Sequence, residues 1–367
     1  MSHIGVIGAG QLGRMLALAG LPLGHQFSFY DPNPLSPARS VGALTVGAFD
    51  DVERLLSFVD DCDVVTYEFE NVPVSVAEAL TERSIVLPNP SALRFSQHRA
   101  TEKQFLQANG IETAPFVYPV PTVEVLLEAV HQLGGTAILK TCTLGYDGKG
   151  QRVIRNEEDA HAAWKDMGEA ELILEGVVPF DREVSLIAVR AANGSCYSFP
   201  LTENVHRDGI LRRSTAHLPS AGYALQQAAA ANVHGLMDAL HYVGVLTVEF
   251  FVVGNRLIAN EIAPRVHNSG HWTIDGCYTS QFEAHIRAIT GLPLHPIKQH
   301  TAATMINIVG SLPDPQEVLN FSGTHLHLYD KAPRRGRKLG HVTICMDDDY
   351  ERDAVAAQLE ACVPWVV

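Results

Sequence analysis

Residues 248–271, VEFFVVGNRLIANEIAPRVHNSGH, decide how this chain is read. TVEFFVV and RLIANEI are short runs rich in Val, Ile and Phe on either side of Gly254 and Asn255, which predicts two strands of one hairpin. Glu249 and Glu261 fall inside those strands, where a carboxylate is costly to desolvate unless something positive meets it. Magnesium takes one or two carboxylates together with phosphate oxygens, so both glutamates are expected to face one ion. Register tests the idea. A regular two-residue turn would pair Glu249 with Asn260 and send Glu261 to the other face, so a shared ion requires an odd loop or a bulge. The competing reading is an edge hairpin with solvated acids, against which stand the apolar residues crowding both glutamates.

At 367 residues the chain exceeds one average domain, which predicts roughly two or three packed units with a sizeable core. Hydrophobic residues at 46% fit a soluble globular protein. The formal charge of -14 opposes general attraction to nucleic acid or an anionic membrane, yet permits a local basic pocket for one phosphorylated metabolite. Small-molecule partners, with no nucleic acid and no membrane, are the expectation. Six cysteines are scattered without the paired spacing of a zinc or redox site, so they read as reduced thiols. The N-terminus runs into the strand HIGVIG with neither basic leader nor cleavage site, and no apolar run approaches the ~18 residues of a membrane span. A cytoplasmic protein is expected.

From residue 4 to 93, strands IGVIG, FSFYD, DVVTYEF and IVLP alternate with helical stretches such as 12–19 and 74–83, the pattern of a parallel α/β layer. Asn89-Pro90-Ser91 breaks it, and a helix over 92–109 leads into a second region, with the boundary near Arg99. From 113 to about 291, strands read as pairs in an α+β pattern: AILK with QRVIR, LILEGVV with EVSLIAV, then the glutamate hairpin. Helices are expected at 123–133 and 223–240. The last stretch offers strands ATMINIVG, THLHLYD and HVTICMD around a basic turn. The expected units are 1–98, 99–293 and 294–367.

Gly8-Ala9-Gly10-Gln11-Leu12-Gly13 follows a strand and opens a helix, with Asp31 at the end of the next strand. Alone, this suggests a nicotinamide dinucleotide and keeps a dehydrogenase in play. Its physical content is only that backbone amides can approach an anion at a helix N-terminus. Gly145-Tyr146-Asp147-Gly148-Lys149-Gly150 lies between strands and lacks the Ser or Thr of a Walker loop. Such a loop can fold over a triphosphate, with Lys140 reaching the phosphates. An ordinary hairpin turn is the alternative.

LILEGVVPFDREVS places Glu175 at a strand end and Glu183 on the next strand, where backbone groups can pair with an adenine edge and a carboxylate can accept from ribose hydroxyls. His267-Asn268-Ser269-Gly270-His271 mimics a zinc pair, but Asn268 stands where a glutamate is expected and Ser-Gly argues against a helix, so zinc is rejected there. A loop around substrate fits better, with Arg265 as an obligate cation for phosphate or bicarbonate. Lys331, Arg334, Arg335, Arg337 and Lys338 form the strongest basic cluster. It is either a solvated face or a phosphate pocket, the latter if the turn folds back towards Arg265.

Six motifs together resemble the ATP-grasp superfamily and, within it, the 5-(carboxyamino)imidazole ribonucleotide synthetases. They are GAGQLGRML, TYEFENV, GYDGKGQ, LTENVHRDGIL, NEIAPRVHNSGHWT and YDKAPRRGRKLGH, spread over nearly the whole chain. The resemblance implies α/β plus α+β architecture: an ATP-grasp fold with a Rossmann-like amino-terminal domain and a small β-rich carboxy-terminal one. It implies that Arg99, Lys140 and the lid 144–151 (Gly145, Tyr146, Asp147, Gly148, Lys149, Gly150, Gln151) contact the phosphates of ATP. Glu175, Gly176, Val177 and Val178 would meet adenine, Glu183 the ribose, and His206, Asn260 and Glu261 the nucleotide site. Glu249 and Glu261 would bind Mg2+ or Mn2+. Aminoimidazole ribonucleotide would be met by Tyr146, Asp147, Arg265, His267, Asn268, Lys331 and Arg337, together with Gln11, Glu68 and Lys338. Two positions depart from the pattern: Cys142 where many relatives carry a basic residue, and His98 where an acid often precedes the arginine.

The implied chemistry is attack of bicarbonate on ATP to give carboxyphosphate, then carboxylation of the ribonucleotide's amine. Catalytic roles fall to Asp147 as proton handler and to Arg265 and Lys331, in a homodimer. Rivals are a nicotinamide-dependent oxidoreductase, a non-catalytic nucleotide sensor, and another ATP-grasp ligase such as a formyl transferase or amino-acid ligase. Bicarbonate and formate suit the same cationic pocket, so charge alone does not choose between them.

Overall fold

The computed structural model describes residues 1–145, 149–217 and 223–367. Its amino-terminal layer is a parallel sheet in the order Ala43–Val46, Gln26–Asp31, His3–Ile7, Val64–Tyr67. Helices flank it, and the VVTY strand is buried along its length, as expected of a parallel strand covered on both faces. The helix Val74–Leu80 is shorter than its pattern suggests, and the stretch expected as one helix over 92–109 is two, Pro90–Ser96 and Arg99–Ala108. The break has a local cause. His98 is extended, and its ring accepts the Thr101 N–H at 3.3 Å, which starts the second helix afresh.

A small antiparallel sheet follows, ordered Phe116–Val117, Leu172–Gly176, Ala137–Thr141, Gln151–Ile154. AILK does pair with QRVIR. LILEGVV and EVSLIAV do not form a hairpin, which corrects the expectation. Leu172–Gly176 stays in the small sheet, whereas Arg182–Arg190 pairs with Gly244–Val253 in a second, larger sheet. The link between them is fixed on both sides: Gly176 N–H donates to Pro115 O and Asp181 N–H to Val252 O, each at 2.8 Å.

The large sheet runs Arg256–Ala263, Gly244–Val253, Arg182–Arg190, Thr202–Arg207, Ile210–Ala216, Ala303–Val309, Lys338–Cys345, Thr324–Leu328. Its last three strands belong to the carboxy-terminal stretch, so that stretch continues the sheet rather than building its own. Arg212 crosses the junction while buried, donating to the carbonyls of Asn307 at 2.8 Å, Glu360 at 3.1 Å and Val363 at 3.2 Å. Among the described residues no helix is long and apolar enough to cross a membrane.

Candidate active site

The glutamate hairpin has the two-residue turn at Gly254 and Asn255, with Val253 paired to Arg256 and regular register as far as Phe250 opposite Ala259. There the register shifts, and Glu249 stands opposite Glu261. Asn260 is the extra residue of a β-bulge, the device that a shared ion required. Glu249, Asn260 and Glu261 all line one cavity of about 640 Å³.

Three residues of the helix Arg99–Ala108 grip the bulge. Arg99 lies 3.6 Å from Glu261, Glu102 accepts the Ile262 N–H at 2.6 Å, and Lys103 donates to Asn260 O at 3.4 Å. Glu102 is itself pushed up to about 8, first by burial and then by the Glu261 charge. Lys103 also reaches Glu175 at 3.2 Å, and Lys140 meets the same Glu175 oxygen at 2.9 Å. Burial holds Lys140 below its ordinary value, against the pull of Glu175. Glu175, expected against adenine, therefore turns its carboxylate inward onto two lysines.

Burial, followed by the Glu261 charge, raises Glu249 to about 7. Two acids facing each other on one cavity wall, one of them resisting ionisation, form a donor set that a divalent cation relieves. On the far side of Glu249, His267 Nε2 stands at 3.2 Å. The Ser269 N–H donates to His267 Nδ1 at 3.3 Å, so the ring proton sits on Nε2, the nitrogen beside Glu249, without the alignment of a good hydrogen bond. Burial keeps this ring well below the usual histidine range and neutral. His206 Nδ1 lies 2.6 Å from Glu183 Oε2, without the alignment of a good hydrogen bond. Burial lowers His206, but Glu183, Glu249 and Glu261 outweigh it and raise the ring overall.

The loop after the hairpin is rigidly built. Gln281 accepts His267 N–H at 2.9 Å and donates to His267 O at 2.7 Å, and Ser185 Oγ donates to Ser269 Oγ at 2.7 Å. Asn268 lines the cavity, and both of its buried amide atoms are without a hydrogen-bond partner among the described residues. This makes the Asn268 amide a candidate anchor for a bound molecule. Arg265 is held by Glu70, Nη2 to Oε1 at 3.0 Å and Nε to Oε2, with Glu70 contributed by the TYEFENV segment of the amino-terminal layer. Burial opposes the Arg265 charge, and Glu70 more than restores it.

The glycine turn is occupied from within. Gly10 N–H and Gly13 N–H donate to the Glu68 carboxylate, the latter at 2.6 Å, and Ala9 N–H donates to Asp31 at 2.9 Å. A Cβ at Gly8 or Gly10 would collide with Glu68, so these glycines make room for a side chain. The amides that a dinucleotide's pyrophosphate would need are already committed, which removes the physical basis of the oxidoreductase reading.

Of the expected site residues, Gln11, Glu68, Arg99, Lys140, Gly145, Lys149, Gln151, Glu183, His206, Glu249, Asn260, Glu261, Arg265, His267, Asn268 and Lys338 share the cavity wall. Gly150, Glu175, Gly176, Val177, Val178, Lys331 and Arg337 lie off it. Lys331 nonetheless donates to Gln11, which ties the basic turn to the wall. Tyr146, Asp147 and Gly148 fall outside the described residues. Glu70, Glu102 and Lys103 were not singled out from sequence. Glu70 sits in a quoted motif, but its partner is 195 positions away.

Comparison with known proteins identifies the family and the fold. The ribonucleotide synthetase preATP-grasp domain matches residues 1–97, the ATP-grasp domain 104–282, and the phosphoribosylaminoimidazole carboxylase C-terminal domain 303–355. The N5-carboxyaminoimidazole ribonucleotide synthase of Pseudomonas aeruginosa is 46% identical over 360 residues, spanning 98% of this chain and 99% of that protein. The crystal structure of N5-carboxyaminoimidazole ribonucleotide synthetase from Thermus thermophilus matches with a TM-score of 0.93 at 50% identity, covering 99% of both chains. N5-carboxyaminoimidazole synthase from Aspergillus clavatus, in complex with ADP and 5-aminoimidazole ribonucleotide, matches with a TM-score of 0.92 at 30% identity, covering 99% of this chain and 98% of that one.

Proposed function

The chain belongs to the N5-carboxyaminoimidazole ribonucleotide synthases of the ATP-grasp superfamily, and on that premise we propose that it uses ATP and bicarbonate to carboxylate the 5-amino group of 5-aminoimidazole ribonucleotide, a ligase step of purine biosynthesis. The observation that carries this reading is the bulge that sets Glu249 against Glu261 on the cavity wall.

A bicarbonate oxygen attacks the γ-phosphorus of ATP, the bond to the β,γ-bridging oxygen breaks, and ADP leaves as carboxyphosphate forms. The amine nitrogen then bonds to the carbon of that anhydride, or of carbon dioxide released from it. Phosphate departs and the amine gives up a proton, leaving the carbamate. Glu249 and Glu261 would hold magnesium or manganese, which would neutralise charge on the triphosphate. Arg99, Lys140 and segment 145–151 position the phosphates. Glu183 holds the ribose, His206 and Asn260 line the nucleotide site, and the backbone of 175–178 takes the adenine edge. Arg265 and Lys331 stabilise charge near the transferring groups, and Asp147 handles the amine proton. The amide of Asn268, with His267, Gln11, Glu68, Arg337 and Lys338, binds the ribonucleotide. Folding 145–151 over the site would keep water from a labile anhydride.

This reading includes a cytoplasmic homodimer, and sedimentation at twice the 39.9 kDa chain mass tests the dimer. The reaction itself is tested by ADP formation with bicarbonate or formate in the presence of the ribonucleotide. Bicarbonate alone should support turnover; turnover with formate would move the chain to the formyl-transferring ligases.

A further inference from the structure

Away from the cavity, the strands Thr324–Leu328 and Lys338–Cys345 carry a second group of polar side chains that the proposed reaction does not use. His327 and His341 are direct cross-strand partners, their rings stacked with centroids 4.5 Å apart and 15° between planes. His325, two residues before His327, projects from the same face of its strand. Asp275, on the short helix Thr273–Gly276, lies above them, with Oδ2 at 2.8 Å from His327 Nε2 and Oδ1 at 3.6 Å from His325 Nδ1. One ligand atom each from Asp275, His327 and His341 falls within 4.8 Å of the others.

A further observation points to a ligand. His341 is fully buried, its Nδ1 lies 2.6 Å from the Tyr329 hydroxyl, and its Nε2 meets no hydrogen-bond partner among the described residues. A buried ring nitrogen left without a partner is costly in a finished core, and one whose other nitrogen is anchored by an oxygen is oriented as metal-ligating histidines are.

We propose that Asp275, His327 and His341, with His325 as the fourth donor, form a binding site for a zinc-class divalent transition metal, separate from the nucleotide cavity. Tetrahedral zinc with bonds of about 2.0–2.1 Å spaces its donors by roughly 3.3 Å, so Asp275, His327 and His341, already within 4.8 Å of one another, close on an ion when the stacked rings turn towards it, and His325 swings in from beside Asp275. Three imidazoles and one carboxylate select such an ion over magnesium, which prefers oxygen ligands. Its place in the fold suggests its use. Asp275 follows the 267–271 loop directly, and the histidine strands flank the basic turn 331–338, so a bound ion would clamp the loop against that turn.

The test is titration of the nucleotide-free full chain with Co2+, read by visible absorption, with zinc-dependent thermal unfolding alongside. Wild type should take up one equivalent of Co2+ with the intense bands of a tetrahedral ion, and zinc should raise its unfolding temperature. The Glu249→Gln/Glu261→Gln chain should do the same. Because His341 is buried and its replacement could disrupt folding, the part-exposed His327 and His325 carry the comparison. His327→Gln and His325→Gln should each fold and weaken Co2+ binding by about tenfold or more. Absence of tetrahedral bands in wild type, binding that survives both histidine substitutions unchanged, or binding lost with the glutamate pair would each overturn the proposal.

Discussion

At the scale of the residue, Glu249 is the most exposed to test. Its carboxyl is raised from 4.5 to about 7, chiefly by burial and then by Glu261, so between those values the folded chain holds a proton that the unfolded chain has lost. Stability from this group is therefore full below about pH 4.5 and declines as pH rises through about 7. Glu249→Gln should flatten that decline in urea-unfolding midpoints measured from about pH 5 to about pH 8, in the absence of metal. An unchanged slope would contradict the burial argument. Glu175 behaves differently because it compensates two lysines. Glu175→Ala should cost about 3 kcal/mol in the same assay, since Lys103 and Lys140 would be left buried without their counter-ion. A loss under about 1 kcal/mol would mean that the lysines find water or deprotonate freely.

At the scale of the element, the bulge is shaped by the helix Arg99–Ala108, which holds Asn260 O, Ile262 N–H and Glu261 through three of its residues. Lys103→Met keeps the apolar stem and removes that grip, so the metal requirement for ATP turnover should shift to higher concentration, by about tenfold, with little change in fold. Equal metal dependence in the two chains would show that the hairpin holds its own register. This is also where reading from sequence reached its limit. The hairpin, its turn and the two glutamates were legible because apolar runs, Gly254-Asn255 and misplaced charge are local signals. The bulge at Asn260 was only a requirement, because what imposes it lies some 160 positions earlier in the chain. The same reason hid the Glu70–Arg265 pair. Sequence neighbours misled in one case: LILEGVV and EVSLIAV look like a hairpin, but the link between them is tied to Pro115 on one side and Val252 on the other, and the strands part into different sheets. The glycine turn was ambiguous for a related reason, since glycine permits close approach without saying whether a phosphate or Glu68 does the approaching.

At the scale of the molecule, the large sheet joins the middle of the chain to its end. A chain ending at residue 293 should fail to give a soluble folded product, because the edge of Ile210–Ala216 would be bared and Arg212 would lose three buried carbonyls. A soluble, cooperatively unfolding fragment would refute that continuity. The whole account depends on one divalent ion being shared by the two hairpin glutamates beneath the triphosphate. Its most direct measurement is Mn2+ binding by electron paramagnetic resonance in the presence of a non-hydrolysable ATP analogue, comparing the wild-type chain with Glu249→Gln/Glu261→Gln. The account predicts protein-bound Mn2+ with nucleotide in the first and none above the free Mn2+–nucleotide signal in the second. Equal Mn2+ binding by both chains would contradict it.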